Sequence, residues 1–147
     1  MFLFAAAAVF TLFFANVALI EAALPALRQS SAGRILLIAS SAGLYGVRGR
    51  AAYAASKGGV VGMTLPIARD LSRAGIRVMT IAPGAVETPM MDNVPQEYKD
   101  AITANIPFPS RFVKAEEFAM LAAHIVENPM LNGEIIRLDG AARLPSK

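Results

Sequence analysis

Gly33-Arg34-Ile35-Leu36-Leu37-Ile38-Ala39-Ser40-Ser41 is the stretch whose reading decides the fold. A continuous apolar run opened by a glycine and closed by two serines is the pattern of a strand buried on both faces, as in a parallel sheet. Downstream, residues 43–50 hold three glycines and read as a loop. Residues 51–73 predict a long helix, with Ala52, Ala55, Gly59, Met63, Ile67 and Leu71 at helical spacing. Pro66 falls inside it and kinks it or removes one backbone bond, and Gly75 ends it. Residues 76–82 form a second buried-strand pattern, stopped by Pro83-Gly84.

Beyond that point residues 86–95 read as a loop and 96–105 as a short helix. Residues 106–111 carry two prolines and cannot form a regular element. Residues 114–127 predict a helix with Phe118, Leu121, Ala122 and Ile125 on one face, and 134–138 a third strand before Asp139-Gly140. Upstream, residues 12–28 read as an amphipathic helix followed by a turn at Ser30-Ser31-Ala32-Gly33. Strands alternating with helices indicate an α/β layered domain with a parallel sheet. Three strands are few for such a sheet, so the expectation is the C-terminal half of a larger doubly wound fold.

Composition narrows the function classes. The chain has 147 residues, 55% of them hydrophobic, with 14 Lys+Arg against 11 Asp+Glu and a net charge of +3. That excludes a disordered or collagen-like polymer. The absence of cysteine excludes disulfides, thiolate metal sites and thiol catalysis. The one histidine, His124, gives no basis for a metal site, so no metal is expected. The basic residues are scattered, and no nucleic-acid partner is expected.

The apolar excess gathers at the start, where Glu21 is the only charged residue before Arg28. About 20 apolar residues can span a bilayer, so membrane contact through residues 1–20 is one reading. The other is a helix buried within a protein, since Glu21 is costly in lipid and Pro25 follows near the end. On that reading residues 1–13 are an apolar leader and 14–147 the domain. No basic amphipathic leader is read at the start, so the expectation is a cytoplasmic protein, with a mitochondrial or membrane-associated one left open.

Chemistry is suggested by Tyr53 and Lys57, four apart on one helical face, and by Ser40 at the carboxyl end of the first strand, where open α/β sheets bind ligands. A tyrosine hydroxyl has an unperturbed pKa near ~10, and a neighbouring ammonium lowers it. Such a tyrosine can exchange a proton with a carbonyl or alcohol, with Ser40 holding the same oxygen. The hydride would come from a cofactor. Taken alone, the same residues also describe a solvated Tyr-Lys pair and an ordinary turn serine.

The neighbouring residues sharpen this. Ser40 lies thirteen residues before Tyr53-Ala54-Ala55-Ser56-Lys57. With Pro83-Gly84-Ala85-Val86-Glu87-Thr88-Pro89 and the ending Asn132-Gly133-Glu134-Ile135-Ile136-Arg137-Leu138-Asp139-Gly140, this order resembles the short-chain dehydrogenase/reductase family over residues 12–143. The Pro66-containing helix, Ile106-Pro107-Phe108-Pro109-Ser110-Arg111 and Glu127-Asn128-Pro129-Met130-Leu131 resemble a branch acting on 3-hydroxyacyl-CoA thioesters.

The resemblance implies a Rossmann-like doubly wound α/β/α fold and an NAD-linked oxidoreductase, with NADP left open. Tyr53 would be the general acid/base. Lys57 would lower its pKa and hold the nicotinamide ribose, and Ser40 would orient the substrate oxygen. Tyr53, Lys57, Pro83, Gly84, Val86 and Thr88 would contact the cofactor, and residues 90–112 would form the substrate lid. A homo-oligomer built on the helices at 12–28 and 51–73 is also implied.

The sequence has no Gly-x-Gly-x-x-Gly fingerprint before Leu12 and no acidic residue placed to select NAD. The expectation is therefore a partial domain of 14–147 whose own activity is open. The alternatives are a 3-oxoacyl thioester reductase using NADPH, or a non-catalytic membrane-anchored or oligomerisation module.

Overall fold

The computed structural model describes the backbone of residues 2–143 and the side chains of residues 13–143. Three parallel strands, β1 (Arg34–Ile38), β2 (Arg77–Pro83) and β3 (Ile135–Leu138), lie in the order β1-β2-β3. Arg34 pairs with Arg77 and Ile38 with Ile81 on one side of β2, and Thr80 pairs with Ile135 and Pro83 with Leu138 on the other. Helices α1 (Phe2–Leu27) and α3 (Ala51–Asp70) pack on one face. Helix α5 (Ala115–Glu127) packs on the other, and the short α2 (Ala42–Tyr45) and α4 (Gln96–Thr103) lie in the connections. This is the expected α/β/α Rossmann-like architecture.

Side-chain alternation along β2 separates two cores. Val78 and Ala82 join Leu37, Val60, Ala68, Leu71 and Ile76 beneath α1 and α3. Met79 and Ile81 meet Ile125, with Phe118, Leu121 and Ala122 packed around them, beneath α5. The face read from the α5 sequence is therefore the face it buries.

One expectation is corrected. Among the described residues β1 is the outer strand and β2 the central one, and β1 is buried at Leu37, with Ala39 just past it, beneath α1 and α3 but not at Ile38 on the other face. Ile38 is 39% exposed whereas Ile81, its partner on β2, is fully buried. An apolar run reports that a strand is designed for burial, but sheet order decides how much each strand receives.

The helix boundaries also differ. α1 begins at Phe2 and runs without a break through residues 13 and 14, so the apolar stretch continues the helix. The side chains of residues 1–12, on which the leader and membrane readings rest, lie outside the described residues. Among the described residues no helix is long and apolar enough to cross a membrane.

The expected loop at 43–50 opens with α2, a single helical turn. The helix expected over 51–73 stops at Asp70 and continues as one 3-10 turn, Ser72–Ala74, closed by Gly75 in the left-handed region (φ 69°). The buried row of α3 is Ser56, Val60, Thr64 and Ala68, one position along from the expected row through Ala55, Gly59, Met63 and Ile67. Two of these are hydroxyl residues, tolerated because each finds a partner. Ser56 donates to the Tyr53 carbonyl at 2.8 Å, and Thr64 bonds the Val60 carbonyl and the Thr80 hydroxyl at 2.6 Å. On the neighbouring row Gly59 meets the Phe13 ring of α1, where an added Cβ would fall 2.8 Å from a ring carbon.

Arg77 fastens α5 to the sheet. Its guanidinium donates to the carbonyls of Ile125 (3.1 Å) and Val126 (2.9 Å), acceptors of the last turn of α5, and to Leu131 (2.6 Å) in the loop that follows. Arg77→Met keeps the aliphatic stem and strands these carbonyls. It is expected to cost about 1–3 kcal/mol, read as a lowered midpoint in urea unfolding.

Candidate functional site

The site gathers at the carboxyl ends of β1 and β2. The ammonium of Lys57 donates to the Ile38 carbonyl at 2.9 Å. Even-numbered residues of β1 turn their backbone groups away from β2, since Ala39 bonds the Ile81 carbonyl and Arg77 bonds Gly33. Lys57 therefore takes a carbonyl on the open edge. Burial holds the Lys57 amine below its ordinary pKa. Tyr53, one turn earlier on α3, is 36% exposed.

Ser40 lies two residues beyond Ile38. Its Oγ accepts the Ala42 N–H at 3.2 Å, which leaves the hydroxyl proton available for another oxygen. The turn is tied to the sheet by the Ser41 N–H, which donates to the Pro83 carbonyl at 2.9 Å. α2 then lies directly on α3. A Cβ at Gly43 would fall 2.6 Å from the carbonyl carbon of Lys57 and 2.8 Å from the nitrogen of Gly58. Glycine at this position lets the serine-bearing segment and the lysine-bearing helix approach.

Pro83, Gly84 and Val86 follow at the end of β2, all half-buried. Gly84 donates to the Leu138 carbonyl at 2.9 Å, and its Cα faces Asp139, whose Cβ an added methyl would meet at 2.9 Å. Val86 forms a parallel bridge with Val113, fixed by Val113 N–H to Ala85 (2.9 Å) and Glu87 N–H to Val113 (2.8 Å). Thr88 stands apart from this group. It is exposed and opens a groove of about 550 Å³ lined with Met91, Gln96, Lys99, Arg111 and Phe112. Phe112 is buried with Ile106 and Ala142, whereas Phe108 is 84% exposed. His124 is exposed, its ring nitrogen 3.4 Å from the Asn128 amide. Among the described residues no group of acidic or histidine side chains is placed to hold a metal.

Arg111 at the groove wall forms a two-pronged ion pair with Glu117 (2.9 and 2.6 Å), and Glu117 also accepts the Lys114 N–H at 2.8 Å. The Arg111 hydrogen bond, reinforced by that N–H, lowers the Glu117 pKa from 4.5 to about 2. Because the folded-state value is the lower one, the stability Glu117 adds is present above about pH 4.5 and is lost as pH falls toward 2. Glu117→Gln is expected to melt below the parent at neutral pH. The two melting curves should converge in acid, as thermal melts across that range would show.

Sequence reading did not mark Tyr45 or Arg143, and met Ser41 and Asp139 only as strand boundaries. The four form a connected set beside the serine turn.

The parallel α/β sheet, with Ser40 just past β1 and Lys57 bonded to the Ile38 carbonyl, has the layout of a nucleotide-type α/β fold, and comparison with known proteins gives the family. The short chain dehydrogenase family model matches residues 7–99, more than half of the chain, and the chain belongs to that family. It is 55% identical over 112 residues to human 3-hydroxyacyl-CoA dehydrogenase type-2, covering 76% of this chain and 43% of that protein. It is 39% identical over 110 residues to the 3-oxoacyl-[acyl-carrier-protein] reductase FabG of Thermotoga maritima, covering 74% and 44%. The crystal structure of 3-hydroxyacyl-CoA dehydrogenase type-2 from Mycobacterium avium superimposes with a TM-score of 0.89 at 41% identity. That match covers 95% of this chain and 56% of that one. The chain thus spans less than half the length of these two curated relatives.

Proposed function

We propose that the chain carries the acid–base machinery of an NAD-linked oxidoreductase interconverting 3-hydroxyacyl-CoA and 3-oxoacyl-CoA. The observation that carries this reading is Lys57 held against the Ile38 carbonyl, which anchors a half-buried ammonium at the sheet end one helical turn from the exposed Tyr53. In reduction Tyr53 gives its proton to the ketone oxygen, and in oxidation its phenolate takes the hydroxyl proton. Ser40 donates a hydrogen bond to the same oxygen and fixes the orientation of the substrate.

The residues present fit a nicotinamide cofactor. Lys57 has two N–H donors beyond the one given to Ile38, enough to hold ribose hydroxyls. The Pro83 carbonyl is taken by Ser41 and the Gly84 N–H by Leu138, so the Gly84 carbonyl and the Val86 main chain are what this segment would offer to the ring and its carboxamide, with the Thr88 hydroxyl further along the chain. When bound, the nicotinamide supplies or accepts the hydride. In this reading residues 14–147 are part of the oxidoreductase domain, 1–13 an apolar leader, and 90–112 the wall that closes over substrate. Self-association uses α1 and α3, where Leu19 and Leu65 are exposed.

A second reading, reduction of a 3-oxoacyl thioester with NADPH, draws on the similarity to the Thermotoga maritima reductase. The test is consumption of NADH and NADPH by the purified chain with acetoacetyl-CoA. Faster consumption of NADH is expected. A preference for NADPH favours the second reading. Failure to bind or consume either nucleotide leaves a non-catalytic module.

A further inference from the structure

We propose that Tyr45 and Arg143 are positioning residues for Ser40, acting through Ser41 and Asp139 to lock the serine-bearing turn to the ends of β2 and β3. The inference rests on the reading above only in giving Ser40 a role on substrate.

Asp139 anchors the set. Its side chain is almost fully buried, and a buried carboxylate requires partners. It accepts the Ala141 N–H at 3.0 Å and the Arg143 guanidinium at 3.2 Å, with the Arg137 Nε 3.8 Å away. The guanidinium so held lies over the Tyr45 ring, 5.8 Å from its centroid, in cation–π range. That contact fixes a side chain on α2, which is only four residues long and too short to hold itself. The Tyr45 hydroxyl donates to Ser41 Oγ at 3.1 Å, and Ser41 is buried.

The set closes on itself. Ser41 bonds Pro83, Gly84 bonds Leu138 and presses on Asp139, and Asp139 returns to Arg143. Ser40 sits beside Ser41 just past the outer strand β1, where no strand among the described residues supports its outer side. Without the lock, the orientation of its hydroxyl depends on the single Ala42 N–H contact.

The test follows amide hydrogen exchange at Ala42, the donor to Ser40 Oγ, in the parent and in Tyr45→Phe, Arg143→Ala and Arg143→Lys. Tyr45→Phe keeps the ring over the guanidinium and removes only the bond to Ser41. Tyr45→Phe and Arg143→Ala are expected to speed exchange at Ala42 about five- to tenfold. Exchange at Thr80 in the central strand should not change, and Arg143→Lys should recover most of the protection. Unchanged exchange at Ala42 in both variants overturns the proposal, as does equal acceleration at Thr80, which would mark general loosening.

Turnover gives a separate reading. Tyr45→Phe is expected to lower kcat for acetoacetyl-CoA at constant NADH affinity, and to have no further effect in a Ser40→Ala background. An equal effect in that background contradicts action through Ser40. If the parent shows no turnover, the proposed function fails, and exchange at Ala42 still decides this inference.

Discussion

Tyr53→Phe is expected to lower NADH-linked turnover of acetoacetyl-CoA by about 10²–10⁴-fold, the range that one positioned acid–base group contributes. The substitution removes one oxygen from a side chain that is 36% exposed and has its ring on the helix surface. The Ser56 bond beneath it goes to the Tyr53 main-chain carbonyl and is retained. Urea unfolding should therefore give a midpoint within the error of the parent, and nucleotide binding should persist through Lys57 and the 83–88 segment. A variant that unfolds early, or that keeps most of its turnover, would remove Tyr53 from the proton-transfer role.

The largest structural effect is expected from Gly43→Ala. The added methyl would fall 2.6 and 2.8 Å from main-chain atoms of Lys57 and Gly58. These atoms belong to a hydrogen-bonded helix and cannot rotate away as a side chain can. α2 must lift from α3, or α3 must shift, at a cost of about 1–3 kcal/mol. For a chain of this size that is a fall in Tm of roughly 2–4 °C per kcal/mol. Either displacement separates Ser40 from Lys57, so turnover should fall by more than the population of unfolded chain explains. Thermal melts with kinetics on the same sample check this. A variant with parental Tm and turnover would show that the approach of α2 to α3 can relax freely.

Parts of this arrangement were legible in the sequence and parts were not, for physical reasons. β2 and α5 were readable because glycine, proline and an apolar face mark them locally. The positions of Ser40 after β1 and of Tyr53 and Lys57 one turn apart on α3 were readable because a strand end and helical spacing are local patterns. The edge position of β1 was not, since sheet order is a property of topology and Ile35 to Ile38 look the same at an edge or a centre. α2 was hidden by its length of one turn. The hydroxyl row Ser56 and Thr64 of α3 was hidden because its burial depends on Thr80, a residue of another strand. The Ser41, Tyr45, Asp139 and Arg143 set joins residues from opposite ends of the fold, and no local pattern announces it.

The oxidoreduction proposed for this chain, with Tyr53 as its proton donor, is tested most directly by following the hydride from NADH deuterated at its transferable position into acetoacetyl-CoA, with mass spectrometry of the product. The parent chain is predicted to place deuterium on the β-carbon of 3-hydroxybutyryl-CoA, and Tyr53→Phe to yield essentially none while still binding NADH. Unlabelled or absent product from the parent, or labelled product from Tyr53→Phe at the parental rate, would contradict the account.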